Sequence, residues 1–191
     1  MKPLSRIAPA PAPFEPTVAD WLRRTMPPGQ PPLQLFAVLA RDPRLFGKFF
    51  AGGLLDRGHL TLRQRELVID RTTARHGCAY EWGVHVAVFG ARIALTPEQQ
   101  VSLVHGTPGD GCWPDDERCL LQLCDELHRT SRVCDATWQA LRQRFGDEAL
   151  LELLLLVGFY TTTSYLANTL QLEPEPGTPP FPAAPHGEAP P

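Results

Sequence analysis

Apolar and polar positions follow a helical period through most of the chain between Leu33 and Leu172. Leu33–Ala40 and Arg44–Ala51 read as a short helix pair, split by Asp42–Pro43 and ended by Gly52–Gly53. Thr61 opens a longer helix: it is a good N-cap, and Gln64 three residues on completes a capping box. Gly77, after Arg75–His76, supplies a stop. From about Cys78 to Ala94 apolar residues cover most of the circumference. Val84, Val88 and Ala91 form one stripe, with Trp82, Val86 and Phe89 beside it, which predicts a central helix. Thr96-Pro97-Glu98-Gln99 is a second capping signature for a short helix ending by Gly106, and Thr107–Pro114 reads as a loop.

The second half continues in the same style. Asp115–Arg129 places Leu120, Leu121, Leu123, Cys124 and Leu127 on one face. Asp135–Phe145 carries Trp138, Leu141 and Phe145 at helical spacing. Gly146 stops it, and Asp147 is expected to cap the last helix, Glu148–Leu170, which holds Gly158 in its middle. No segment shows strand alternation with hairpin turns. The pattern predicts an all-α domain of about seven to nine helices.

Proline sets the boundaries. Of the 21 prolines, nine lie in residues 1–32 and eight in residues 174–191. The chain therefore reads as an arm (1–32), a helical domain (33–172) and a tail (173–191). The tail should be extended or disordered, with Phe181 its one large apolar residue. The arm holds Phe14, Val18, Trp21 and Leu22, so a short helix over Thr17–Thr25 is expected to dock on the body or on a neighbouring subunit. The domain is large enough to bury a core without staples.

Composition then removes several classes. A net charge of −3 and a pI near 6.1 argue against a nucleic-acid partner. The longest apolar run, Leu153–Tyr160, falls short of a membrane span. The N-terminus carries no export signal, so a reducing cytoplasm is the expected compartment. Five cysteines occur without a C-x-x-C or a zinc-like Cys/His spacing, which leaves no metal or other cofactor to expect.

Chemistry concentrates in Cys78-Ala-Tyr-Glu81-Trp-Gly-Val-His85. On a helix these spacings are i,i+3 and i,i+4, so thiol, carboxylate and imidazole share one face. Either they form a satisfied polar contact between helices, or they form a proton shuttle tuned by burial. Cys78 in the first turn would feel the helix N-terminus, which favours thiolate. Glu66 and Asp70 form an acidic i,i+4 pair on the preceding helix. If the two helices run antiparallel about Gly77, Glu66 reaches the same face; otherwise the pair is a solvated surface.

Glu66-x11-Cys78-x2-Glu81-x3-His85 resembles the signature of the alkylhydroperoxidase D and carboxymuconolactone decarboxylase superfamily. Arg65-Glu66-Leu67-Val68 and Leu95-Thr96-Pro97-Glu98 resemble its flanking steps. In the thiol-peroxidase branch a second cysteine stands where this chain has Glu81. The resemblance therefore implies the decarboxylase branch, with Glu/His acid–base chemistry on a small carboxylate or lactone. A one-cysteine peroxidase using Cys78 is the alternative, and an inactive helical module a further one. It also implies a small-molecule substrate and a homo-oligomer of two, three or six subunits.

The expected catalytic residues are Glu66, Cys78, Glu81 and His85, with His85 as base or acid. Arg71, backed by Arg75, is the expected holder of a substrate carboxylate. Tyr80 and Trp82 flank Glu81, and Tyr160 and Asn168 lie on one face of the last helix with Ser164 between them. All four are expected substrate contacts, with helix packing as the competing role.

Overall fold

The structure is a computed structural model that describes residues 5–184. Among these residues all regular structure is helical. Nine α-helices occur: α1 (Pro16–Thr25), α2 (Gln34–Leu39), α3 (Pro43–Ala51), α4 (Leu62–Arg75), α5 (Ala79–Phe89), α6 (Pro97–His105), α7 (Asp115–Thr130), α8 (Asp135–Arg142) and α9 (Asp147–Leu170).

The local signals explain most boundaries. Thr61 and Gln64 make the reciprocal capping box of α4, and Thr96 and Gln99 make that of α6. Each pair satisfies two backbone N–H groups that the first turn would otherwise leave unpaired. Two starts differ from expectation. Helix α1 begins at Pro16 and not at Thr17, capped by Glu15, which accepts from the amides of Thr17 and Val18. Gly146 occupies the N-cap of α9 without a side-chain bond, and Asp147 is its first residue, paired instead with Arg142.

Helix α4 is the axis of the fold. Every residue from Glu66 to Thr73 is buried, because α5, α6, α7 and α9 all pack on it. Val68 and Ile69 meet Leu120, Leu123, Leu141, Leu153 and Tyr160 from α7, α8 and α9 in one core. On the other side Leu67 joins Trp82, Leu103, Trp113 and Leu121 in a second. By length and composition α9 could cross a membrane. Here Leu153, Leu156, Val157 and Tyr160 pack it into the core.

The inward face of α5 is only partly the expected one. Trp82 and Val86 are buried, but Val88 of the predicted stripe is 53% exposed and Ala91 also faces out. Glu81 and His85 are buried in their place, because His85 finds a partner on α4 (below).

Both proline-rich ends are docked. Val18 and Leu22 of α1 are buried against Ala40 and Phe46, and the backbone of Ala10 bonds to Ala37. Burying two such side chains contributes roughly 3–6 kcal/mol. The tail, expected to be extended or disordered, is non-helical but held across α5 as far as residue 184. Glu175 accepts from Tyr80 Oη (2.5 Å) and from the Gln34 amide, and Phe181 lies on Trp82 with centroids 5.2 Å apart. A Cβ at position 83 would come within 2.8 Å of the Pro179 carbonyl, so Gly83 permits this approach. The remainder of that expectation, residues 185–191, lies outside the described residues.

Candidate functional site

Gly77 (φ 61°) turns the chain back after α4, so Glu66 and His85 meet across the turn. His85 Nδ1 lies 2.7 Å from Glu66 Oε2, and its Nε2 lies 3.4 Å from Glu81 Oε1. Arg65 holds the other Glu66 oxygen, with its Nε donating at 2.9 Å. The imidazole is thus bracketed by two carboxylates. Burial pushes its pKa down, but the hydrogen bonds and charges of Glu66 and Glu81 outweigh that and carry it up to about 10. At neutral pH His85 is an imidazolium, which is an acid and not a base.

Glu81, His85 and Tyr160 open onto a cavity of about 430 Å³. The Tyr160 ring stands edge-on to His85, with centroids 5.0 Å apart. Burial and the charges of Glu81 and Glu66 raise the Tyr160 phenol, so it keeps its proton as a donor. The remaining wall comes from elements that the motif does not include. Trp21 reaches in from α1, Phe49 and Phe50 from α3, Phe159 from α9, and Asp56 from the loop after α3. Sequence reasoning missed these five. The available signal was the aromatic density of α1 and α3, which read as packing. A larger and more open groove of about 470 Å³ between α7 and α8 holds Arg118, Cys119 and Arg144, but none of the expected site residues. Size alone therefore does not select the site.

Asp70 belongs with this group, one turn along α4 from Glu66. It is buried, and its Oδ1 has no hydrogen-bond partner among the described residues. Burial and the nearby Glu66 hold its carboxyl well above the usual range, against the pull of His85. Burial thus favours its protonated form, and it is not part of a solvated surface.

Five expected site residues lie elsewhere. Cys78 is the N-cap of α5 and is fully buried among Leu35, Val38, Ala167 and Leu170. Burial raises its thiol pKa and wins over the helix N-terminus that was expected to lower it. Arg71 is also fully buried, on the opposite side of α4. Its guanidinium takes Asp125 in a fork (both contacts 2.7 Å) and donates to the carbonyls of Ser102, Leu103 and Gly106 at the end of α6. Arg75 joins the same Asp125. Arg71 has no donor left for a substrate, and neither arginine lines the cavity. Tyr80 anchors the tail through Glu175, Trp82 packs in the second core, and Asn168 donates to the His76 carbonyl. The i,i+4 spacing of Tyr160, Ser164 and Asn168 is real, but only Tyr160 meets the cavity.

No curated protein matches the chain. Among solved structures it is similar to the alkylhydroperoxidase AhpD core of an uncharacterized peroxidase-related protein from Ralstonia eutropha JMP134. The two are 24% identical, with 92% of this chain and 95% of that one covered and a TM-score of 0.75. An uncharacterized peroxidase-related protein from Silicibacter sp. TM1040 is 20% identical over 93% and 96% of the two chains, at a TM-score of 0.74. The debrominase Bmp8, solved in complex with 2,3,4-tribromopyrrole, is 12% identical over 85% of each chain, at 0.64. These likenesses establish the fold. The model of the carboxymuconolactone decarboxylase family matches residues 43–108, the stretch that carries Glu66, Cys78, Glu81 and His85. The chain thus matches the carboxymuconolactone decarboxylase family model over residues 43–108 and has an AhpD-like helical fold.

Proposed function

We propose that this protein is an acid–base enzyme acting on a small molecule held in the cavity beside His85. One observation carries the reading: the row Glu66–His85–Glu81 is buried at one end and opens at the other onto a cavity. Glu81 is the carboxylate placed to take or return a substrate proton. His85, as imidazolium, passes charge between Glu81 and Glu66, and Tyr160 offers an O–H to a developing oxyanion. Of the two substrate expectations, the carboxylate loses its support because Arg71 is fully engaged with Asp125 and α6 and neither Arg71 nor Arg75 lines the cavity. A lactone or another carbonyl compound keeps its support.

The thiol-peroxidase reading has the names of two structural relatives in its favour. Against it stand a buried Cys78 that does not line the cavity and Glu81 at the position of the second cysteine. Proton exchange separates the readings. In D₂O, a panel of small lactones and ketones is followed by NMR for loss of C–H signal next to the carbonyl. Exchange is expected with the wild type and the Cys78→Ala variant, and is expected to be lost in Glu66→Gln and His85→Gln. Peroxide consumption that disappears with Cys78→Ala would overturn the proposal. An undiminished exchange rate in His85→Gln would do the same, and wild-type exchange no faster than the uncatalysed rate would favour an inactive scaffold. The expected homo-oligomer remains part of this proposal, supported by exposed Val88, Leu151, Leu155 and Tyr165 on α5 and α9; light scattering tests it.

A further inference from the structure

The cavity wall is aromatic and, among its lining residues, carries neither lysine nor arginine. Trp21, Phe49, Phe50, Phe159 and Tyr160 supply the rings, with Trp21 and Phe50 at 5.7 Å and Phe49 and Phe159 at 4.9 Å between centroids. Its charged groups are Asp56, Glu81 and His85, and the His85 charge is already matched by Glu81 on one side and Glu66 on the other. An anion entering this space would lose its hydration and meet no free cation, which costs several kcal/mol. An ammonium would find only Asp56 as an unmatched charge, and Asp56 is exposed; His85 already offsets the Glu81 charge, although a Glu81 oxygen can still accept a hydrogen bond. A flat ring system loses nothing comparable and gains contact with the aromatic wall. Polar anchors remain for one group: Tyr160 as O–H donor and Glu81 as acceptor, since the Thr25 hydroxyl donates to the Trp21 carbonyl at 2.9 Å.

We infer that the cavity selects an uncharged, ring-bearing molecule with a single hydroxyl or carbonyl, and that α1, through Trp21, is the part of the chain that sets this selection. This deepens the reading of the cavity as the active site and rests on it. It also gives the proline-rich arm a role. The family segment begins at residue 43, so the wall contributed by Trp21 and Thr25 lies outside it. The arm is fastened for that purpose by Val18 and Leu22 in their buried cluster, while Trp21 on the neighbouring face reaches the cavity.

Calorimetric titration of the full chain at pH 7 tests the inference with three probes of one ring system. They are 2-naphthol (neutral), 2-naphthoate (anionic) and 2-naphthylmethylamine (cationic). Saturable binding of the naphthol is expected, with the naphthoate and the amine each at least tenfold weaker. Trp21→Ala should weaken the naphthol about tenfold, and Trp21→Phe, which keeps a ring, should restore most of it. Equal or tighter binding of either charged probe would overturn the inference, as would no binding of any probe, or a Trp21→Ala affinity equal to wild type. Naphthol binding without lactone exchange would refute the proposed chemistry and leave this selection standing. Lactone exchange without naphthol binding would do the reverse.

Discussion

Helix α4 presents a buried arginine on one side and buried acids on the other. Arg71 spends all five of its N–H donors, two on Asp125 and three on the exposed carbonyls that end α6. Glu66, one turn earlier, has a different arrangement. It is held by Arg65 and His85, but the row it begins ends in a 3.4 Å contact to Glu81 at a cavity, and Asp70 beside it keeps an oxygen without a partner. One network is saturated and closed, and the other is under-satisfied and open. A saturated group has nothing left to offer a ligand; an open one does. The comparison teaches that burial of charge does not identify a site, whereas unspent hydrogen-bonding capacity facing a cavity does.

The largest expected effect falls on the closed side. Arg71→Ala removes the fork from Asp125, leaving it Arg75 alone, and takes the donor from the Leu103 carbonyl, so unfolding in urea should show a loss of about 3–5 kcal/mol. Asp125→Ala should cost a similar amount, and the double variant clearly less than the sum, because both break one unit. If Arg71→Ala melted like wild type, the contrast between the two sides of α4 would collapse.

On the open side the order of effects should invert. Glu66→Gln is expected to lower turnover about 100-fold, or about 2.7 kcal/mol in the barrier, while stability falls by about 1.5–3 kcal/mol, less than in Arg71→Ala because Gln keeps an oxygen for Arg65 or His85. Stopped-flow or NMR turnover, read beside a melting curve on the same preparation, checks both numbers. A variant that lost stability and kept its turnover would move Glu66 to the structural side.

How much of this contrast could be read along the chain depends on distance. The capping boxes at Thr61/Gln64 and Thr96/Gln99 were legible because both partners lie within one turn. The row of Glu66, Glu81 and His85 was legible because helical spacing and one glycine turn bring it together. Arg71 was misread: its partner Asp125 is 54 positions away on α7, and nothing local distinguishes a structural arginine from a substrate-binding one. Trp21 and Phe159 were missed as cavity lining for the same reason, since an aromatic at helical spacing looks the same in a wall as in a core. The outward turn of Val88 was hidden too. Periodicity ranks faces by apolarity, but Glu81 and His85 turned inward once Glu66 could pair with the imidazole.

A smaller effect sharpens the comparison by pH. The folded-state pKa of His85 is raised to about 10, above the ordinary imidazole value in the unfolded chain. Its contribution to stability is therefore fully present below about pH 6.5 and is lost as pH rises through about 10. Glu126, which holds the α7–α8 junction by accepting from Gln122, Cys134 and Thr137, behaves in the opposite sense. Burial opposes, but those hydrogen bonds depress it to about 2, so its contribution is present above the ordinary glutamate value and is lost as pH falls through about 2. Stability to denaturant should fall more steeply from pH 6 to 10 for wild type than for His85→Gln, and the acid limb should flatten only in Glu126→Gln. A shared slope change would mean that the two networks are not independent.

The smallest expected effect concerns the residue whose type most invites chemistry. Cys78 stands beside the row in sequence, and its place at the start of α5 would ordinarily favour thiolate. Two circumstances oppose that. The sulfur is fully buried among aliphatic side chains, which disfavours charge, and the neighbouring Glu81 adds a repulsion. Cys78→Ala should therefore leave proton exchange within about twofold of wild type and cost about 1 kcal/mol of stability from the lost packing. Iodoacetamide on the native protein should label Cys134, which is exposed, well before Cys78. If Cys78 were alkylated first and exchange stopped with it, the open network would extend to the thiol, and the division between the two sides of α4 would have to be redrawn to include it.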